Sequence, residues 1–386
     1  MGIYSDYLNQ KLSFDDLTQL RKEQLARISR LREDRDMLVM AADVDQQGAP
    51  ISIAFADLLP VNDQLSNLSG TKVDLILETP GGSGEVAEDI VRLLRGKYEE
   101  VGVIVPGCAK SAGTIMAMAA DEILMEPASA LGPIDAQILR NGKVFSAEAL
   151  LEGMEKIKTE VANAGRLNQA YIPILQGISP GELQAAQNSL DFAKRLVRDW
   201  LATYKFKNWN THSGDGRPVT EEERTERAEE IATKLCNHSH WLTHGRSIKI
   251  ADLEDMKLRI TDYSENADLA DAIRRYYTLL QMTFATNIYK VFETPESQIY
   301  RFTAQQVPPP PPPGQTADVA VIGVQCKNCS RKSQVQANLG QSAPLEPGHE
   351  PFPADNRFKC PGCGTEIDLT ATRQQVEAQS GKPVVA

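Results

Sequence analysis

The chain lacks an excess of positive charge. Its 41 Lys and Arg stand against 52 Asp and Glu, a formal net charge of -11 over 386 residues. A general nucleic-acid surface is therefore not expected. No apolar run approaches the ~20 residues that span a bilayer. The opening Met1-Gly2-Ile3-Tyr4-Ser5-Asp6 has no basic region leading into an apolar stretch, and Asp6 stands where myristoylation requires Ser or Thr. The expectation is a cytoplasmic protein with no membrane anchor. Histidine is scarce, with His212, His238, His240, His244 and His349 the full set, which narrows any search for an imidazole base. Cysteine is scarce too, and four of the six fall in two close pairs near the C-terminus. What is plentiful is apolar residues, at 41% enough for a real core, in a length that allows two or three domains.

The stretch Gly107-Cys108-Ala109-Lys110-Ser111-Ala112-Gly113-Thr114 follows the apolar run Val101–Val105 and opens a small-residue helix to about Ala120. Strand, tight turn and a helix beginning on serine form a nucleophile elbow, where the helix N-terminus offers unpaired N–H groups. The G-x-S-x-G signature is missed only because Ala109 replaces its first glycine. A serine that merely caps its helix is the plainer reading. Upstream, the buried strand Val73–Glu78 delivers Thr79-Pro80-Gly81-Gly82, a backbone able to aim N–H groups at a ligand. Amide hydrolysis needs two such donors for the developing oxyanion; Gly82 and Ala112 are the natural pair, with Gly81 beside them.

Together the two segments resemble the ClpP/crotonase superfold, and within it the serine dehydrogenase proteinase family, related to signal peptide peptidase A. The resemblance rests on Thr79-Pro80-Gly81-Gly82, Lys110-Ser111-Ala112-Gly113-Thr114, Ala120-Asp121-Glu122-Ile123 and Leu131-Gly132-Pro133-Ile134-Asp135. It covers roughly residues 36–300 and is diffuse beyond 137. It implies an α/β fold of repeated β-β-α and β-α units with a parallel sheet, peptidase chemistry with no redox cofactor, and a homo-oligomer. The family's order of Ser, Asp and His implies Ser111, Asp135 and His244 as catalytic residues. Signal peptide peptidase A relatives use a Ser–Lys dyad instead, which makes Lys156 or Lys158 alternative bases by spacing, with Lys194 a weaker one.

Along the chain, residues 1–35 read as a charged amphipathic helix, capped by Ser13 with Asp16 and lined by Phe14, Leu17, Leu20, Leu25, Ile28 and Leu31. It packs on its own domain or contacts another protomer. Strands at 36–43, 73–78, 101–105 and 123–126 alternate with helices, the pattern of a parallel sheet covered on both faces. Gly82-Ser83-Gly84-Glu85-Val86-Ala87 fits the dinucleotide fingerprint, but the next strand ends in Val105-Pro106-Gly107 with no acidic residue for the ribose. That reading fails. Residues 147–207 are helical, Thr220 and Glu223 form a capping box, and Asp268–Val291 reads as a last long helix.

Six prolines, Pro308–Pro313, form a polyproline II spacer of about 19 Å within a linker at 301–316, a domain boundary first and an SH3-type ligand second. Beyond it, in a domain at 317–386, Cys326-Lys327-Asn328-Cys329 and Cys360-Pro361-Gly362-Cys363 offer four thiolates at the spacing of a structural zinc ribbon. The prolines between the pairs suggest an inserted loop. His349 is taken as a loop residue, and Cys108 and Cys236 as small buried residues.

The expected function is an ATP-independent serine peptidase that cuts polypeptides, with the ribbon recruiting substrate or a protein partner. The alternatives are crotonase-type acyl-CoA chemistry and an inactive binding scaffold working through its ribbon.

Overall fold

A computed structural model describes residues 2–140, 142–212, 214–303, 319–340 and 342–385. The chain divides into two compact units, 1–303 and 304–386. The proline run lies outside the described residues. Among the described residues no helix is long and apolar enough to cross a membrane.

The first unit opens with two helices, α1 (Ile3–Gln10) and α2 (Phe14–Leu31), rather than the single helix expected over 1–35. Lys11 ends α1 at φ +50°, a left-handed turn that no helix continues through. Ser13 and Asp16 form the expected capping box. There follow β1 (Asp36–Ala42), α3 (Leu58–Ser66), β2 (Lys72–Glu78), α4 (Gly84–Lys97), β3 (Glu100–Ile104), β4 (Cys108–Ala109), α5 (Ala112–Met118), β5 (Glu122–Met125) and β6 (Ala130–Leu131). A hairpin of β7 (Gln137–Arg140) and β8 (Lys143–Ser146) leads into the helices α6 (Ala147–Ala164), α7 (Ile172–Gln176), α8 (Pro180–Trp200), α9 (Glu221–Cys236), α10 (His238–Trp241) and α11 (Ile250–Asp255). The unit closes with β9 (Thr261–Asp262), α12 (Ala267–Phe284), β10 (Ile288–Glu293) and β11 (Gln298–Phe302).

Seven strands form one sheet in the order β11-β10-β1-β2-β3-β5-β9, parallel from β1 to β9. Its register sets Leu38, Leu75, Val103 and Ile123 in one row and Val39, Ile76, Ile104 and Leu124 in the next. Side chains alternate across a strand, so these rows bury on opposite faces. The first joins the core made with α3, α4, α5 and α8, and the second joins the core made with α2 and α12. This is the α/β, ClpP-like arrangement that the sequence motifs imply.

The chain beyond Phe284 differs from expectation. The helix stops there, and Ile288–Glu293 is a strand paired antiparallel to β1 and then to β11. The first residues of the expected linker, Arg301 and Phe302, belong to β11. Glu293 on β10 accepts from Arg21 of α2 at 3.1 Å, both side chains fully buried. That pair explains a charged residue on the buried face of α2, among Leu17, Leu25 and Ile28, and it holds the N-terminal helices to the first unit.

The second unit pairs β12 (Val319–Gln325) with β13 (Lys332–Leu339), which also pairs with β14 (His349–Pro351). Next come β15 (Arg357–Lys359), β16 (Glu366–Asp368), α13 (Thr370–Ser380) and β17 (Val384–Val385). Val335, Ala337, Phe352 and Phe358 form its small core. The segment between the cysteine pairs, expected as a loop, thus carries two strands of the main sheet of this unit.

Candidate active site

A second row of short pairings crosses the ends of the main strands. Ile53 bridges Gly82, Thr79 bridges Ala109, β4 pairs with β6, and Leu131 bridges Ile248. The row fixes the turn that carries Ser111. Thr79 N–H donates to the Cys108 carbonyl at 2.9 Å, and Lys110 N–H donates to the Thr79 carbonyl at 3.0 Å. The side chain of Thr79 packs where a Cβ on Gly113 would lie, so the helix start approaches this closely only through glycine.

Ser111 sits at φ +49°, ψ -113°, a backbone conformation that a side-chain-bearing residue rarely takes. It occupies the N-cap position of α5 yet makes no capping bond. Ser13, Ser83, Ser179 and Thr220, by contrast, each accept from a backbone N–H of their own helix. The plain reading of Ser111 as a cap therefore does not hold, and its hydroxyl is left facing a pocket.

That pocket is lined by Gly82, Ser111, Ala112, Asp135 and His244, with Ile115, Ile134 and Phe192 as its apolar wall. Among the described residues neither Gly82 N–H nor Ala112 N–H donates to a protein acceptor. Gly81 differs from expectation. Its N–H is taken by Thr79 Oγ1 at 3.1 Å, so it is no oxyanion donor. Its contribution is absence of bulk: a Cβ there would lie 2.7 Å from Ser111 Cβ.

Asp135 is buried with its side chain wholly shielded, and it accepts from His244 Nδ1 at 2.6 Å and from His238 Nδ1 at 2.7 Å. Gln137 Nε2 adds a third bond at 2.8 Å. Burial pushes the carboxyl up, but the hydrogen bonds and charges of His244 and His238 outweigh it and hold Asp135 below its ordinary value. With Nδ1 committed to Asp135, the other ring nitrogen of His244 is the one left for chemistry. Among the described residues no hydrogen bond joins Ser111 Oγ to His244. Such contacts commonly tighten only when substrate binds.

The alternative lysines are not brought to the serine. Lys156 and Lys158 project from α6 with 81% and 68% of their side chains exposed, paired to Glu152 and Glu155. Lys194 pairs with Glu229 at 2.6 Å, and none of the three lines the pocket. Lys110 turns away from its neighbour Ser111. Its Nζ donates to Leu131 O, Arg246 O and Ser247 Oγ at 3.0–3.1 Å, tying the serine turn to the segment after His244.

Sequence reasoning missed His238. It lies 103 positions from Asp135, and the only signal was its place six residues before His244. It also missed Glu78, which is buried under the turn and accepts from Gly107 N and Cys108 N at 3.1 and 2.9 Å and from Tyr277 OH at 3.3 Å.

In the second unit the sulfurs of Cys326, Cys329, Cys360 and Cys363 lie within 4.8 Å of one another. Cys326–Cys363 and Cys329–Cys360 are 3.5 and 3.6 Å apart, close to the ~3.8 Å edge of a tetrahedral zinc–thiolate site and far from the ~2.05 Å of a disulfide. Backbone N–H groups of Cys329 and Asn328 lower the Cys326 thiol, and the Thr365 hydroxyl lowers Cys363 to about 6. Both effects favour thiolates, whereas at Cys329 the lowering backbone bond of Arg331 is outweighed by the hydrogen bonds to Cys363 and Cys360, which push the thiol up to about 12. The four residues fit one metal ion, and His349 is held apart beside Glu346 at 3.6 Å.

A strained serine at a helix start, two unpaired amides and an Asp-held histidine thus surround one pocket on a ClpP-like fold. Residues 11–174 match the family model of ClpP-like SDH-type serine proteinases. The match includes Ser111 and Asp135 and ends before His238 and His244. Two uncharacterized proteins of Methanocaldococcus jannaschii are similar. One is 31% identical over 168 residues, 42% of this chain and 54% of that protein. The other is 28% identical over 210 residues, 54% of this chain and 56% of that protein. The chain thus spans about half the length of these relatives. A solved serine-to-alanine mutant of a membrane-bound stomatin-specific protease is 21% identical, with 30% of this chain and 60% of that one covered and a TM-score of 0.22.

Proposed function

We propose that the protein is an ATP-independent serine peptidase that cuts polypeptides through a Ser111 acyl-enzyme. The observation that carries this reading is Ser111 itself: strained, released from capping, and in one pocket with His244 and two unpaired amides. In the proposed reaction His244 takes the hydroxyl proton as Ser111 Oγ attacks the scissile carbonyl carbon. The tetrahedral oxyanion accepts from Gly82 N–H and Ala112 N–H. His244 then protonates the leaving amine, the C–N bond breaks, and water hydrolyses the ester by the same route. Asp135 holds the imidazole throughout.

The crotonase alternative is weakened by the lining, which among the described residues contains no Lys or Arg to meet the phosphates of a coenzyme A thioester. The four cysteines are proposed to hold one structural Zn2+, and the unit they close to recruit substrate or a protein partner. Assembly into a homo-oligomer is proposed too, supported by the exposed apolar Leu139, Val144 and Ile174 on the β7–β8 hairpin and α7; light scattering showing a monomer at micromolar concentration would refute it. A cytoplasmic location is proposed as well, in keeping with cysteines that form no disulfide among the described residues.

A fluorophosphonate probe tests the central reading. Labelling that is lost in Ser111→Ala, together with cleavage of unfolded casein lost in the same variant, supports it. Absence of labelling in every condition favours the binding scaffold.

A further inference from the structure

The buried ion pair between Lys290 and Asp57 lies outside the pocket and has no part in the chemistry above. Lys290 Nζ, on β10, donates to Asp57 Oδ1 and Oδ2 at 2.9 and 2.7 Å and to the Ser52 carbonyl at 2.7 Å. Both side chains are about 95% buried, at 5% and 3% exposure. Asp57 in turn accepts from Ala54 N–H at 3.0 Å, and Arg301 on β11 donates to the Ala56 carbonyl at 3.1 Å. The hairpin of β10 and β11 therefore grips the segment 52–57 at both ends.

Ile53, inside that segment, does one specific thing. Its N–H donates to the Gly81 carbonyl at 2.7 Å, and its carbonyl accepts from Ser83 N–H at 3.0 Å. Among the described residues there is no cis peptide bond, and in a trans peptide the C=O and the following N–H point in opposite directions. A Gly81 carbonyl held toward Ile53 therefore sends the Gly82 N–H the other way, toward the pocket that Gly82 shares with Ser111 and Ala112. Glycines at positions 81 and 82, at φ +105° and +147°, have little intrinsic preference against a flipped peptide, so the orientation depends on what Ile53 does.

We propose that Lys290 is a positioning residue for the oxyanion hole: by pinning the 52–57 segment it keeps Ile53 on the Gly81 carbonyl and the Gly82 N–H aimed at the reacting carbonyl. This rests on the peptidase reading. Without the ammonium, Asp57 becomes an unpaired buried carboxylate and the Ser52 carbonyl loses its donor, and the segment relaxes away from Gly81. Substrate contacts on the apolar wall are untouched, so the loss falls on the bond-making step.

The experiment measures KI and kinact for a fluorophosphonate at Ser111 in the full-length wild type, Lys290→Met, Lys290→Arg and the charge-neutral Asp57→Asn/Lys290→Met. Crystal structures of the wild type and Lys290→Met accompany it. Expected are kinact lowered about 10- to 100-fold in Lys290→Met with KI within about two-fold, most of the rate recovered in Lys290→Arg, and the Ile53–Gly81 bond lost in the Lys290→Met structure. Where the single variant does not fold, the double variant is judged by the same criteria in kinetics and crystal. A folded variant that labels at the wild-type rate overturns the proposal, as does one whose only change is in KI. If wild-type Ser111 is not labelled at all, the peptidase reading fails separately. The crystal structures then decide the positioning role: an Ile53–Gly81 bond retained without Lys290 overturns it, and a lost one upholds it.

Discussion

His244 Nδ1 stands 2.6 Å from Asp135 Oδ1, and the carboxylate that holds it has a side chain with no solvent exposure. A buried acceptor of this kind fixes which ring nitrogen carries the proton and leaves the other free for the base role proposed above. The second oxygen of Asp135 is occupied by His238, which does not line the pocket.

The first prediction separates these two histidines. His244→Ala should cost at least about 10³-fold in casein cleavage, and Asp135→Asn about 10²- to 10⁴-fold, because the tautomer is no longer enforced. His238→Gln, which can still donate to Asp135, should cost less than about ten-fold. Turnover of the three single variants checks this; a His238→Gln loss as large as that of His244→Ala would reassign the base.

Gly82 gives the second prediction. A Cβ there would overlap the backbone N and O of Ile53, and φ is +147°. Substitution therefore cannot be confined to the oxyanion hole. Gly82→Ala should lower turnover by at least about 100-fold and cost about 1–3 kcal/mol of stability through displaced backbone and strain. Gly82→Val should be worse in both. Urea unfolding alongside probe labelling measures the two effects, and an unaltered midpoint would show that the Ile53 contact tolerates bulk.

How much of this was legible in the sequence follows the range of the interactions involved. The caps at Ser13 and Thr220 were readable because a capping box spans four residues. So were the strands β1, β2, β3 and β5, each an apolar run bounded by turn residues. The hairpin of β10 and β11 was not. Ile288 and Val291 suit a helical period as well as a strand, and Ala285-Thr286-Asn287 carries neither Gly nor Pro to mark the turn. Pairing of Ala41 with Val291, 250 positions away, decides it. Arg21 was passed over on the apolar face of α2 for the same reason: its partner Glu293 lies on that hairpin. At the site, Ser111 and the Gly82–Ala112 pair were visible as local turn chemistry. The position of Gly81 N–H, used up by Thr79, and the second histidine on Asp135 depend on side-chain directions that spacing does not encode.

The third prediction concerns the cysteines. Purified protein should contain one zinc per chain by elemental analysis, and Cys360→Ser with Cys363→Ser should abolish it. Because the two units are separately compact, chelation should unfold the second while Ser111 labelling in the first continues. Unchanged zinc in the double variant, or a single unfolding transition that takes labelling with it, would contradict this.

The last prediction follows from Glu78. Burial beneath the turn raises its carboxyl from an ordinary 4.5 to about 7, against the lowering effect of the Cys108 and Gly107 amides and the Tyr277 hydroxyl. The folded state therefore binds a proton between those two values that the unfolded chain releases. Stability must then fall as pH rises from about 4.5 to about 7, and the fall ends above that window. At full ionisation this term is worth on the order of 3 kcal/mol against the folded state. Glu78→Gln keeps an oxygen for the Gly107 and Cys108 amides and offers an NH2 toward Tyr277 OH, so the turn should survive. Relative to wild type, the variant should gain stability progressively through the window and hold a constant advantage above it. Urea unfolding of both proteins at closely spaced pH values from 4 to 8 reads the difference directly. A wild-type-minus-variant difference that does not change with pH would show that Glu78 ionises at its ordinary value in the folded protein.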